Sequence, residues 1–234
     1  MRKILIVLFS FMCVFSVKAQ NKDWASFKTY EGSDSDIAKS PVAVLIGDSI
    51  TELWAKSDPA FFSDNNYICR GISGQVSSQI LVRFRADALD LKPKVVVILA
   101  GTNDIALNEG SIPVDHVFDN IVSMAQLAKA NGIVPIICSV TPSAGFSWRP
   151  SLNPVPEIRE INSRLSSYAE SNGFLYLDYY PSLSTPEGAF IKDYSYDGTH
   201  PTLKGYKIME SMLMPMISKA LKLSAGYRKK AMFR

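Results

Sequence analysis

The sequence is poor in the residues that bind metal ions and in the loops that bind nucleotides. Its 234 residues include two histidines and three cysteines, and neither an H-E-x-x-H motif nor a paired cysteine motif occurs. It also lacks a Walker-type phosphate loop and the G-x-G-x-x-G loop of dinucleotide-binding proteins. We therefore expect neither a metal ion nor a nucleotide, and no other cofactor.

An excess of charge of one sign is also missing. The chain has 25 basic and 22 acidic residues, and three of the basic ones, Arg2, Lys3 and Lys18, lie in the first nineteen positions, where no acidic residue occurs. The remainder therefore has 25 − 3 = 22 basic residues and is formally neutral. A neutral chain gives no electrostatic reason to expect nucleic acid or an anionic membrane as a partner.

The long apolar run near the start, 4–17, is shorter than the ~20 residues that span a bilayer. It follows a basic start and precedes small or branched residues that end at Ala19, the pattern of a secretory signal peptide. We expect residues 1–19 to be removed, the protein to be exported to the periplasm or the extracellular space, and no stable association with a membrane afterwards. An uncleaved anchor is a weaker alternative, and so is lipid attachment at Cys13, since no small residue precedes that cysteine.

Residues 20–234 alternate between short apolar runs and longer stretches of helical period. The runs of strand length are 42–46, 67–69, 95–100, 133–138 and 174–177, and the helical patterns are 76–91, 114–130, 157–171 and 202–222. Runs that are apolar throughout and separated by helices are typical of a parallel sheet buried on both faces. Because no repeat or linker interrupts the pattern, we predict a single α/β domain of three layers over 20–234.

Polar clusters follow these strands at the edge where a doubly wound sheet binds its ligands. They are GDSIT at 47–51, RGISGQ at 70–75, GTND at 101–104 and, before the last helix, YDGTHP at 196–201. One long irregular connection, 141–156, follows the fourth strand, and loops of that length are usually functional or mobile. We expect the four clusters to meet in one site.

Ser49, in the first cluster, has two interpretations. With Glu52 it fits the S-x-x-E capping box, in which the serine oxygen and the glutamate satisfy backbone donors at a helix start. At the end of a strand it can equally be a nucleophile. That role requires a base, a group that orients the base, and donors for an oxyanion.

The candidate base is His200, because His116 falls in a helical pattern and is expected to be structural or exposed. Asp197 precedes His200 by three residues, so its carboxylate can bind one ring nitrogen and direct the other towards a serine. The alternative for this segment is a turn that starts a helix and carries a surface histidine.

Oxyanion donors are available from three clusters: the backbone N–H of Ser49, the backbone N–H of Gly74 and the side-chain amide of Asn103. Taken singly, the glycine cluster is equally consistent with a turn, and the asparagine cluster with a helix cap or a loop. Their occurrence at neighbouring strand ends favours a common site.

Together the four clusters resemble, in the same order, the blocks of the SGNH hydrolases, also called GDSL-like esterases. The resemblance extends over about 42–222, with Ile50 in place of the leucine of the family's name. It implies a flavodoxin-like parallel sheet of five strands in the order 2-1-3-4-5. The site residues that it implies are the triad Ser49, Asp197 and His200 and the oxyanion donors Ser49, Gly74 and Asn103.

The activity expected is hydrolysis of short acyl esters, above all acetyl esters, of carbohydrates or other small molecules, because the sequence has no long apolar lid that would shelter a fatty chain. Three aromatic residues expected near the site favour a sugar, namely Trp54, Phe146 and Trp148, and packing of their own segments is the alternative. The resemblance also covers lysophospholipases, arylesterases and thioesterases. A non-catalytic carbohydrate-binding module of the same fold is a further alternative.

The strand order also bears on the cysteines that remain after removal of the signal peptide. Cys69 and Cys138 would lie on strands three spacings apart, roughly 14 Å, whereas a disulfide needs Cα atoms within about 7 Å. We therefore predict that both are free thiols.

Overall fold

The computed structural model of the chain describes residues 23–33 and 40–232, and for 225–232 it describes the backbone alone. The predicted signal peptide, 1–19, lies outside the described residues. Within the described ranges, no helix combines the length and the apolar character needed to cross a membrane.

Five parallel strands form one sheet in the order β2-β1-β3-β4-β5. The strands are β1 (Ala43–Gly47), β2 (Tyr67–Gly71), β3 (Val95–Leu99), β4 (Val134–Cys138) and β5 (Leu175–Leu177). Their ends differ from the predicted runs by two residues or fewer. The predicted strand order and the predicted fold class are confirmed.

Eight α-helices connect or flank the strands in the described part of the chain. They are α1 (Ser49–Ser57), α2 (Pro59–Ser63), α3 (Ser77–Phe84), α4 (Thr102–Ile105), α5 (Val114–Ala130), α6 (Val155–Asn172), α7 (Tyr180–Leu183) and α8 (Leu203–Met232). α5 has the predicted bounds, whereas the pattern at 76–91 comprises α3 and a π-helical turn, Arg85–Leu89. The shortest helices are missing from the prediction because four or five residues are too few to show a helical period.

Alternate residues of the strands face two separate cores, which is why the strands are apolar throughout. On one face, Val44 and Ile46 of β1 belong to a core with α3, α5 and α6. On the other face, Ala43 and Leu45 belong to a core with α1, α2 and α8. Helices therefore cover both faces of the sheet, as three-layer α/β folds require.

The strand register brings the carboxyl ends of the strands level with one another. Gly47 at the end of β1 pairs with Gly71 on one side and with Leu99 on the other. A Cβ atom at Gly47 would collide with the Leu99 carbonyl, and one at Gly71 would collide with the backbone of α1 at Glu52. These two glycines let α1 pack directly against the sheet edge, where the polar clusters lie.

Both described cysteines are free thiols, as the strand order predicts. Cys69 lies on β2, where its thiol donates to the Thr51 carbonyl at 3.3 Å, and Cys138 lies on β4 in the core. Burial raises the pKa of the Cys69 thiol to about 11 and raises the pKa of Cys138 as well.

We predict that a chain beginning at Gln20 contains two titratable thiols after denaturation without reductant. In the native protein both thiols should react slowly, because the reactive thiolate is suppressed by their raised pKa values. Titration with a thiol reagent before and after denaturation measures both properties. A denatured, unreduced sample without free sulfhydryl groups would contradict the structure.

Candidate active site

Ser49 is the first residue of α1 and directly follows the end of β1. The helix is capped by Asp48, whose Oδ1 accepts a hydrogen bond from the Ile50 N–H at 2.9 Å. The interpretation of Ser49 as a helix cap paired with Glu52 is therefore wrong, because the preceding aspartate takes the capping position. The hydroxyl of Ser49 is left free for another partner, and its backbone N–H lies at the positive end of a helix.

Glu52 has a different task from the one that the capping box assigns to it. Its Oε2 accepts hydrogen bonds from the N–H of Ser73 at 2.7 Å and from the hydroxyl of Ser73 at 2.6 Å. Burial raises the pKa of Glu52, but the hydrogen bonds from Lys56 and Ser73 outweigh it, so the pKa lies below its ordinary value. The carboxylate thereby ties the glycine cluster that follows β2 to the helix that carries Ser49.

The segment from Asp197 to His200 folds around the aspartate itself. Oδ1 of Asp197 accepts hydrogen bonds from the N–H groups of Thr199 at 2.9 Å and of His200 at 2.8 Å. Oδ2 then lies 2.7 Å from the His200 Nδ1. Partial burial raises the pKa of Asp197, but these hydrogen bonds from His200 and Thr199 hold it below its ordinary value. An ionised carboxylate is thus held against one nitrogen of the imidazole.

The other nitrogen of His200, Nε2, lies 2.9 Å from the hydroxyl oxygen of Ser49. The structure therefore brings Ser49, His200 and Asp197 into one chain of hydrogen bonds, in the geometry in which an imidazole takes a proton from a serine. His116 lies elsewhere, exposed on α5 and 3.9 Å from Asp119. The catalytic roles of the three residues stay a prediction.

The two further donors expected for an oxyanion follow the neighbouring strands. Gly74 is exposed and has a φ of 79°, in the left-handed region that favours glycine, so its conformation rather than a lack of space explains the residue. Asn103 is buried on α4, and its amide nitrogen donates to the Gln75 carbonyl at 3.0 Å. An amide nitrogen carries two hydrogens, so the second is available to a substrate oxygen.

A buried arginine, which the sequence analysis did not identify, connects two of these segments. Arg83 on α3 is fully buried, and its guanidinium donates to the Gly47 carbonyl at 2.9 Å, to Oε1 of Gln75 at 2.6 Å and to Oδ2 of Asp87 at 2.8 Å. Gln75 in turn donates through Nε2 to the Ala25 carbonyl at 2.8 Å. The residues before Ser49 and after Gly74 are thereby fixed to one side chain.

Trp54 does not contact the site, and the expectation that it binds substrate is wrong. It is 1% exposed, its ring stacks between Phe61 and Tyr206 with centroid distances of 5.4 Å to each, and Nε1 donates to Glu210 at 3.1 Å. Position 54 lies on the face of α1 that turns towards the core and α8. When the face of an amphipathic helix on which an aromatic residue lies is not known, the residue is best assigned to the core.

Trp148 is the aromatic residue that the structure places beside the site. It is 40% exposed, and its ring lies 6.3 Å from the ring of His200. Phe146 is buried, and its ring centroid lies 5.1 Å from that of Trp148. It therefore packs against Trp148 and does not line the site. The long loop, 141–156, therefore contributes one aromatic side chain to the surroundings of the imidazole.

Comparison with known proteins agrees with this geometry. The model of the GDSL-like Lipase/Acylhydrolase family matches residues 45–208, which include the whole of the site. The chain belongs to this family. It is accordingly a carboxylic ester hydrolase, which favours the enzyme over the non-catalytic binding module considered above.

Two solved structures of the family are similar to this esterase over most of its length. A candidate acylhydrolase from Bacteroides fragilis is 45% identical, with a TM-score of 0.83, and the match covers 86% of this chain and 99% of that one. A GDSL-like lipase from Bacteroides thetaiotaomicron is 43% identical, with a TM-score of 0.82, and the match covers 85% and 100%. An acetylxylan esterase from Geobacillus stearothermophilus shares the fold at 17% identity and a TM-score of 0.61, covering 76% and 94%.

A curated relative matches over a shorter segment. The uncharacterised lipoprotein YqeF of Bacillus subtilis is 37% identical over 75 residues, and the match covers 31% of each chain.

In the described part of the esterase, no group of three or more histidine, cysteine, aspartate or glutamate side chains is arranged to hold a metal ion.

The carboxyl group of Asp48 lies in an unusual environment for an acid next to the serine. The residue is 1% exposed, and among the described residues no hydrogen-bond partner reaches its Oδ2. Burial raises its pKa to about 6, although the Ile50 N–H and the nearby His200 work in the opposite direction. The folded esterase thus binds this proton more tightly than the unfolded chain does.

We predict that Asp48 makes the esterase lose stability as the pH rises. Because the pKa of Asp48 is raised in the fold, its contribution to stability is fully present below its unfolded pKa and is lost between pH ~4 and pH ~6. A shift of about two pKa units corresponds to about 3 kcal/mol. As the pH rises through that window, the free energy of unfolding of Asp48→Asn should therefore increase by about this amount relative to that of the wild type. Urea unfolding of both proteins at pH 4 and pH 7 measures the difference.

The surface variant Asp64→Asn is the matched control for the loss of one acidic side chain. A wild-type and an Asp48→Asn protein whose free energies of unfolding stay parallel over this pH range would contradict the assignment.

Proposed function

We propose that the protein is an exported serine esterase that removes short acyl groups, above all acetyl groups, from carbohydrates or other small esters. The observation that carries the proposal is the chain of hydrogen bonds from Ser49 through His200 to Asp197, with distances of 2.9 and 2.7 Å. It supplies a nucleophile, a base and an orienting carboxylate at one end of a parallel sheet.

In the acylation step, Oγ of Ser49 attacks the carbonyl carbon of the ester while Nε2 of His200 takes the hydroxyl proton. Asp197 stabilises the imidazolium that forms. The tetrahedral oxyanion accepts hydrogen bonds from the N–H groups of Ser49 and Gly74 and from the amide of Asn103. Its collapse breaks the ester bond, and the departing alcohol takes the proton from His200. Water then repeats the sequence on the acyl-serine and releases the carboxylic acid.

A sugar as the alcohol part is supported by the position of Trp148. The residue is 40% exposed, and its ring centroid lies 6.3 Å from that of the imidazole, where an aromatic face can pack against a pyranose ring. Proteins of the same fold act on acetylxylan, as the esterase from Geobacillus stearothermophilus does by its name. Acetylated oligosaccharides are therefore the first natural compounds to test.

Hydrolysis of longer acyl chains is the second candidate, and one cavity favours it. A cavity of about 350 Å³ has Asp104 and Ile105, the residues that follow Asn103, in its lining. Most of the other lining side chains are apolar, including Leu107 and Leu152. Such a lining suits an alkyl chain. Under this alternative the enzyme would be a lysophospholipase, an arylesterase or a thioesterase.

Export rests on the N-terminal pattern of residues 1–19 and on a relative whose name is that of a lipoprotein. A periplasmic or extracellular location agrees with a substrate that is a polysaccharide or one of its fragments.

We predict that Ser49→Ala and His200→Ala each lower kcat on p-nitrophenyl acetate by at least about 10³-fold, because a triad acts as a unit. The activity of the wild type should also fall at acid pH, where an imidazolium cannot take the proton of Ser49. His116→Ala is the matched control, and it should retain both the rate and the pH profile. Wild-type turnover by His200→Ala, or loss of turnover in a folded His116→Ala, would overturn the proposed triad.

We predict that kcat/KM is highest for the acetyl ester in a series of p-nitrophenyl esters from two to ten carbons, and that acetate is released from acetylated xylo-oligosaccharides. Leu152→Trp, which narrows the cavity that Asp104 and Ile105 line, should leave acetyl hydrolysis unchanged. A preference for long chains that Leu152→Trp abolishes would instead establish the second candidate.

A further inference from the structure

Three side-chain hydrogen bonds join the long loop, 141–156, to the residue proposed as the side-chain donor of the oxyanion hole. Nε1 of Trp148 donates to Oδ1 of Asn108 at 2.9 Å. Nδ2 of Asn108 donates to Oδ1 of Asn103 at 2.6 Å, and Nδ2 of Asn103 donates to the Gln75 carbonyl at 3.0 Å. The chain of donors and acceptors thus runs in one direction from the loop to the glycine cluster.

The two ends of this chain fix its direction. An indole N–H can only donate, and a backbone carbonyl can only accept. The two asparagine amides between them can each turn by 180° and exchange donor for acceptor at little steric cost. Trp148 therefore sets the orientation of Asn108, and Asn108 sets the orientation of Asn103.

The orientation of Asn103 decides what it offers to a reacting ester. In the observed orientation its nitrogen faces Gln75 and retains a second hydrogen for the oxyanion. In the reversed orientation its carbonyl oxygen would face both the Gln75 carbonyl and the developing negative charge. The same amide would then oppose the transition state that it is proposed to stabilise.

We infer that Asn108 is a positioning residue that holds the Asn103 amide in its donor orientation, and that the indole N–H of Trp148 completes this arrangement. The inference rests on the proposed role of Asn103 in the oxyanion hole. Asn108 is half-buried four residues after the asparagine cluster, and its backbone N–H also donates to the Asn103 carbonyl at 3.0 Å. It is thus connected to Asn103 through both backbone and side chain.

The near-isosteric change Asn108→Asp tests the inference, because a carboxylate accepts hydrogen bonds and donates none. Asn103 can donate to the introduced carboxylate only by turning its nitrogen towards it, which gives up the bond to the Gln75 carbonyl and directs its oxygen towards the site. We expect kcat on p-nitrophenyl acetate to fall by about 10²- to 10³-fold, the range typical of a lost oxyanion donor, with little change in KM. Circular dichroism and thermal unfolding verify that the variant is folded.

A double-mutant cycle with Asn103→Ala separates orientation from the added charge. If Asn108 acts through Asn103, Asn108→Asp should cost almost nothing in the Asn103→Ala background, where no amide remains to be turned. Equal losses in both backgrounds would mean that the charge acts directly on the oxyanion, and would overturn the inference. Wild-type kcat in folded Asn108→Asp would overturn it as well.

Trp148→Phe provides a variant without added charge that keeps an aromatic ring beside His200. Loss of one hydrogen bond of the chain should lower kcat by about 2- to 10-fold. Trp24→Phe, at a tryptophan of similar exposure in the N-terminal segment, is its matched control and should leave kcat unchanged. Equal kcat values for Trp148→Phe and wild type would refute the role of the Trp148 indole N–H in orienting Asn108 and Asn103.

The cycle also distinguishes this inference from the proposed function. Low activity of Asn103→Ala together with normal activity of Asn108→Asp leaves the esterase mechanism in place and refutes the positioning role. Normal activity of Asn103→Ala refutes the oxyanion assignment, and the positioning role with it.

Discussion

The buried guanidinium of Arg83 is the interaction on which the geometry of the site depends. A charged group without solvent is costly unless its hydrogen-bonding capacity is met, and here a carboxylate, a side-chain amide and a backbone carbonyl meet it. The carbonyl belongs to Gly47, two residues before the serine, and the amide belongs to Gln75, next to Gly74. A displacement of either segment would leave a buried N–H group of the guanidinium without an acceptor. The spacing between Ser49 and Gly74, two of the proposed oxyanion donors, is therefore stabilised, because any change in it would leave the buried arginine with an unsatisfied hydrogen-bond donor.

The sheet could be predicted from sequence because its information is local and repeated. The strands are short and mostly apolar, and from the second strand onwards each is separated from the next by a helical period, as α5 shows with bounds that match its pattern at 114–130. The sheet order came from resemblance to a family, since apolar runs of similar character do not reveal which strands are neighbours. The shortest helices and the π-helical turn after α3 leave no periodic trace.

The predictability of the site follows the same division. The aspartate and histidine lie three residues apart and fold around their own backbone, so the segment DGTH indicates their contact. The tasks of Glu52 and Trp54 were assigned wrongly because their partners, Ser73 and Glu210, lie 21 and 156 residues away. Asn108 was overlooked for a similar reason, since its link to Trp148 spans 40 residues. A short motif predicts contacts among its own residues, and it does not predict contacts with residues that are distant in sequence.

The contrast between short and long sequence separation has a consequence for how the enzyme forms. The imidazole and its carboxylate are joined across a loop of three residues, whereas the serine hydroxyl meets the imidazole across 151 residues. Closing so long a loop costs conformational entropy that is repaid only when the first strand and the last helix are both packed. The histidine and aspartate can therefore associate within one short segment, whereas the serine meets them only in the packed domain. Under the proposed mechanism, ester hydrolysis accordingly requires that both ends of the domain are packed together, and not only that one of its parts has formed.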